Sequence, residues 1–273
     1  MNKKKLKLFL VISSFFLSHL CCNEKKDLSQ IINSHVHTQI ECSEEFSFLK
    51  EGILKNWNAL IETGILEIEG ADADLRPSFV TIQAIVEHVL SLEIKKEITN
   101  VNGIILAPMP ATPLCTKGEI SKELVDPTIE NDPSRLFTVK ARPTIIRDYL
   151  FKGGDLYIVY PKDGLKKRTE EQQKIYQQEL VNYPTHLFDA PLNCDNIPTE
   201  LIGATYFFKS NSGATFVFAI QMTQAKDPKE IGNFGLWFGS IDHPSLQERI
   251  NALSSYLNQN NFDIFRKVIN PTL

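Results

Sequence analysis

The sequence predicts an α/β protein, specifically a three-layer α/β sandwich of Rossmann-like type, with a mostly parallel sheet and a C-terminal antiparallel hairpin extension. Three observations predict it. Short apolar runs alternate with amphipathic stretches between residues 64 and 189. The run 156–160 is apolar throughout, as expected of a strand buried on both faces. The alternation then gives way to two β-rich runs, 203–209 and 214–224, joined by the turn residues Ser210, Asn211, Ser212 and Gly213.

The elements follow in order. Residues 23–43 read as a polar tether or a short helix, with Leu28, Ile32, His35 and Gln39 on one side. Phe46, Leu49, Ile53, Trp57 and Leu60 recur at helical spacing, and Gly64 sits where a left-handed cap ends such a helix. A first strand spans 64–69. Pro77 starts a helix whose inward face is Phe79, Ile82, Val86 and Val89, and a second strand covers 104–107. A helix from Pro143 buries Ile146, Tyr149 and Leu150 and stops at Gly153 and Gly154, before the strand 156–160. Thr169 and Gln172 have capping-box spacing for a helix that ends before Pro184. A fourth strand is expected at 185–189 and another at 234–241. The last helix begins near Pro244 with the stripe Leu246, Ile250, Leu253 and Leu257.

Ahead of this domain, assigned to 44–273, lies a segment of another kind. Lys3, Lys4 and Lys5 precede an apolar run over 8–17, the pattern of an export signal and too short for a comfortable membrane span. Residues 1–22 are therefore expected to be an export signal or an N-terminal membrane anchor, with Cys21 or Cys22 as the lipidation point in a lipoprotein reading. The flanking Ser18, His19 and Leu20 mark neither cleavage nor acylation well. In each version the protein is placed outside the cytoplasm, in the cell envelope or secreted, and associated with a membrane through its N-terminal segment.

The net charge of −4 and the lack of a basic stripe interleaved with aromatics argue against a nucleic-acid partner. Cys42, Cys115 and Cys194 are spaced neither as a disulfide framework nor as a zinc site, so their redox state stays open. No internal repeat, Walker-type phosphate loop, dinucleotide-binding glycine pattern or serine nucleophile elbow occurs. The cofactor, if there is one, is unnamed by the sequence.

In open α/β sheets, ligands bind beyond the carboxyl ends of strands, so candidate residues are sought in those loops. The first loop carries Asp72, Asp74 and Arg76; paired aspartates serve as acid, base or cation ligands, or merely cap the turn before Pro77. The loop after 156–160 concentrates Lys162, Lys166, Lys167 and Arg168 before a helix N-terminus, which favours an anion, although a solvated basic loop has the same composition. Cys115 and Cys194 follow the second and fourth strands, whereas His186 begins its strand, which counts against a Cys–His pair. On a helix, His35 and His37 diverge too far to share a metal ion. The long connection 107–142 is either a lid or an excursion packed on the sheet.

The expected function is binding or processing of a small anionic ligand bearing phosphate or carboxylate. Arg76, Lys162, Lys166 and Arg168 would hold it, with Asp72 and Asp74 as catalytic groups. The alternative is a non-catalytic envelope or secreted interaction protein, with the C-terminal hairpin, Trp237 and Phe238 as the surface for a protein partner.

Overall fold

The structure, a computed structural model, describes residues 28–42, 50–68, 76–93, 96, 98–110, 144–211, 213–222 and 234–269. The N-terminal segment, Phe46, Leu49, Asp72, Asp74 and Cys115 lie outside these residues.

The chain forms α1 (Leu28–Cys42), α2 (Lys50–Thr63), β1 (Ile65–Ile68), α3 (Arg76–Glu93) and β2 (Ile98–Leu106). It continues with α4 (144–151) and β3 (Asp155–Pro161). Then come α5 (Glu170–Asn182), β4 (Leu187–Leu192), β5 (Gly203–Ser210), β6 (Thr215–Met222), β7 (Phe234–Ser240) and α6 (Pro244–Gln259). The seven strands of the described residues belong to one sheet with the order β1-β7-β6-β5-β2-β3-β4.

Local rules account for the element ends. Thr169 caps α5 in a complete capping box, its hydroxyl accepting from the Gln172 backbone while the Gln172 side chain accepts from the Thr169 N–H. Pro244 opens α6, where the missing N–H costs nothing. Gly64 ends α2 at φ +74°, and its N–H donates to the Leu60 carbonyl.

The expectation of a mostly parallel sheet with an antiparallel extension does not hold. Four of the six neighbouring pairs are antiparallel, and the parallel pairs are β2 with β3 and β3 with β4. The hairpin β5–β6 is central, pairing with β2 on one side and β7 on the other. The reason is burial on both faces. Tyr206, Phe207 and Phe208 in β5, and Val217, Phe218, Ala219 and Ile220 in β6, are all at or below 2% exposure. Strands apolar on both faces belong inside a sheet, whereas β4 exposes Asp189 and Pro191 and β1 is four residues long, both suited to an edge.

Alternation along the strands divides the core. Tyr206, Phe208, Phe218, Leu236 and Phe238 face α1, α2, α3, α4 and α5. Phe207, Val217, Ala219 and Trp237 face α6 and the C-terminal segment through Phe262, Ile264 and Val268. Trp237 and Phe238 are 5% and 3% exposed on opposite faces, so neither supplies the partner surface expected of them. In α1 the buried stripe is Leu28, Ile32, Val36 and Ile40, packed against α3, rather than one through His35 and Gln39.

Gly203 shows how tightly the centre is built. Its φ is +153°, and a Cβ there would stand 1.9 Å from the Ile220 carbonyl oxygen of the neighbouring strand. Two backbones must then part, and no side chain can yield instead. Gly203→Ala is expected to cost about 3 kcal/mol or more in urea-induced unfolding, with strand separation as the cause. A cost below about 1 kcal/mol would refute this account.

Candidate functional site at the carboxyl ends of the strands

The sheet collects loops at one edge. Because β5 and β7 alone run against the rest, β1, β2, β3, β4 and β6 all end on the same side. The loops bearing the sequence-predicted residues start from this edge. They start far apart, however: β7, β6, β5 and β2 lie between β1 and β3, a span of about 24 Å at ordinary strand spacing.

The loops after β2, β3 and β4 meet. Lys162, just beyond β3, pairs with Asp195 beyond β4 at 3.3 Å. Gly164 opens a short 3-10 turn, Gly164–Lys167, where a Cβ would stand 3.0 Å from the Pro108 carbonyl oxygen of the loop after β2. Arg168 donates its Nε–H to the Pro110 carbonyl at 3.0 Å and so ties the start of α5 to that loop. The basic residues are therefore held near one place, partly by contacts of their own. Lys166 pairs with Asp163 at 2.7 Å. This contact holds the Asp163 carboxyl below, and the Lys166 ammonium above, its ordinary range.

Arg76 is the first residue of α3. Asp72 and Asp74 precede it, outside the described residues. The structure thus brings Lys162, Lys166 and Arg168 onto one loop and does not bring Arg76 to them through the strand order.

Three other polar arrangements stand close to the parallel strands. Asp189 on β4 accepts from the Tyr160 and Tyr176 hydroxyls with one oxygen, at 2.7 and 2.6 Å. Burial, followed by the Asp189 bond, raises the Tyr160 hydroxyl above its ordinary pKa. Cys194, half-buried after β4, lies 3.2 Å from the Tyr256 hydroxyl, which donates to the Asn196 carbonyl. At the opposite, amino end of β3 and β4, Asp155 and His186 approach to 2.8 Å. Cys194 and His186 are named by the sequence, but Tyr160 and Tyr176 read there as ordinary strand and helix residues, and the partners Asp155, Asp189 and Tyr256 carry no motif. Cross-strand register was the missing information.

Among the described residues, no group of three or more His, Cys, Asp or Glu side chains is gathered closely enough to hold a metal ion. His37 instead bonds Asn58 on α2 at 3.0 Å. Comparison with protein-family models, with curated proteins and with solved structures found no match to this chain.

Asp155 offers a pH test of the fold. Burial lifts its carboxyl above the ordinary value of 3.8, while the bond and charge of His186 oppose the shift. The native state therefore holds this proton more tightly than the unfolded chain does. Its contribution to stability is fully present below the unfolded value and is lost as pH rises through the native one. Asp155→Asn should gain in thermal midpoint relative to the parent between about pH 3.5 and pH 7. A relative loss over that interval would mean that the contact with His186 outweighs burial.

Proposed function

We propose that this is an exported or membrane-associated protein that binds a small anionic ligand, bearing phosphate or carboxylate, where the loops after β2, β3 and β4 meet. Lys162, Lys166 and Arg168 hold the anion in this reading. Asp72, Asp74 and Arg76, the catalytic and binding groups expected beside them for a hydrolase or transferase reaction, follow β1 about 24 Å along the sheet edge, so processing of the ligand is not part of this reading.

The observation that carries the reading is the mutual contact of the three loops, with Lys162 beside Asp195 and Arg168 on the Pro110 carbonyl. Such contacts hold the cationic side chains on a firm base just ahead of α5, whose first turn is capped by Thr169 and carries Glu170 and Glu171, so the attraction for an anion rests on the side chains. The carboxyl edge is the customary ligand position in open parallel α/β sheets, and the three loops follow the strands β2, β3 and β4, which pair in parallel here. The export part of the reading rests on the N-terminal lysines and the apolar run that follows them. Among the described residues, no helix is long and apolar enough to cross a membrane.

A second reading, an interaction protein, is favoured by two exposed apolar side chains. Phe151 at the end of α4 is 84% exposed and Val181 near the end of α5 is 70% exposed. The two helices are joined by Arg147 and Glu179 at 3.7 Å. Both side chains stand in the open on adjoining helices, a pattern that suits a protein partner better than a small ligand.

Thermal unfolding against nucleotides, sugar phosphates and inorganic phosphate, each near 1 mM, separates the two readings. Ligand binding is expected to raise the midpoint. The double variant Lys162→Ala with Lys166→Ala, which spares the Arg168 anchor, should remove the rise. No rise with any compound would favour the interaction reading.

A further inference from the structure

Away from the basic loop, Arg249 on α6 is packed into the protein with no carboxylate among the described residues in ion-pair contact. It flanks the inward stripe of Leu246, Ile250 and Leu253 and reaches over the Trp237 indole, its Cζ 4.3 Å from the ring centroid. The indole lies across Gly235, where a Cβ would stand 2.2 Å from the ring, so a glycine at this register is what lets the ring lie down. Gly235 pairs with Glu67 of β1 on one side and Gln221 of β6 on the other.

The guanidinium is satisfied on one side only. Its Nη1 donates to the Gln221 side-chain oxygen at 3.1 Å and to the Glu200 carbonyl at 3.5 Å. Nε is buried and has no hydrogen-bond partner. Nε–H and the adjacent Nη2–H point along one edge of the planar group, the fork that matches two oxygens of an oxyanion. A charge so largely buried without a hydrogen-bonded counter-charge is costly, and the Trp237 face answers only part of that cost.

We propose that the Nε–Nη2 edge of Arg249 binds a small monocarboxylate beside Trp237 and Gln221, near the carboxyl end of β6. One guanidinium neutralises one negative charge. Glu67 lies close enough for its charge to act on Arg249 while remaining outside hydrogen-bond contact, and it therefore opposes a dianion more than a monoanion. Burial pulls the Arg249 pKa down to about 10, with Glu67 acting against the shift, which leaves the group cationic at neutral pH. The site is independent of the basic loop, because β5 and β2 separate β6 from β3.

The test uses the full chain carrying Lys162→Ala with Lys166→Ala, which removes the lysines of the basic loop, and titrates it with acetate and, separately, with inorganic phosphate at constant ionic strength, following tryptophan fluorescence and the thermal midpoint. Acetate is expected to change both, and phosphate to bind several-fold more weakly. Arg249→Gln should abolish the acetate response, and Arg249→Lys, which keeps the charge but loses the fork, should weaken it roughly tenfold. Glu67→Gln should strengthen it. Because the lysines of the basic loop are already removed in this background, failure here is distinct from failure there. Should Arg249→Gln not fold, Arg249→Lys and the exposed Glu67→Gln carry the test. Acetate binding that survives Arg249→Gln would overturn the proposal, as would tighter binding of phosphate or no response to acetate up to on the order of 100 mM.

Discussion

Burial of β5 and β6 on both faces is the constraint on which the rest of this structure depends. Seven of their side chains, Tyr206 to Phe208 and Val217 to Ile220, are withdrawn from water almost entirely. At about 25 cal/mol per Å² of apolar surface, such residues repay burial only where a layer covers each face. Helices α1 to α5 supply one cover, and α6 with the C-terminal segment supplies the other. The central position of the hairpin holds β1 and β2 apart, although they are consecutive strands among the described residues, with α3 between them in sequence. The carboxyl edge is thereby spread across the whole width of the sheet.

Two polar contacts within this core tie helices to strands. Glu87 of α3, 1% exposed, accepts from the Tyr206 hydroxyl at 2.7 Å and from Gln83 at 3.0 Å. That contact pins a helix from the first part of the chain to the central strand. Tyr149 of α4 behaves similarly, its hydroxyl directed at the carbonyls of Val101 and Asp155. Its ring fills the space over Gly154, where a Cβ would come within 2.5 Å. Buried polar groups cost most when left alone, so these links favour one arrangement of helices over its neighbours.

Much of this was legible in the sequence, at the level of elements. The Thr169 cap, the stop at Gly153 and Gly154, the Pro244 start and the stripe Leu246, Ile250, Leu253 and Leu257 all occur as their local chemistry requires. Strand order was not legible from alternation alone. The unbroken apolar runs in β5 and β6 carried the same message of burial on both faces as the run in β3, and they point to central strands instead of an appended hairpin. The candidate site was legible in composition but not in distance. Lys162 and Arg168 stand where the loop after β3 would put them, whereas Arg76 follows β1, which four other strands separate from β3. The Arg249 fork depends on the register of Glu67, Gly235 and Gln221, which no spacing within one segment encodes.

The pairing of β1 with β7 has a consequence for how the molecule comes into being. Ile65 finds its partner in Trp237, and β5 to β7 must all be available before β1 has any neighbour in the sheet. A chain emerging from its N-terminus therefore carries β1 as an unpaired strand until most of the protein has been made. During that interval α1, α2 and α3 have one another but lack the floor they finally rest on. Such long-range closure slows folding and leaves apolar surface open to wrong partners. For a polypeptide with this topology, holding the early half unfolded until the late half arrives is an advantage, and passage through a membrane as an extended chain would provide that delay.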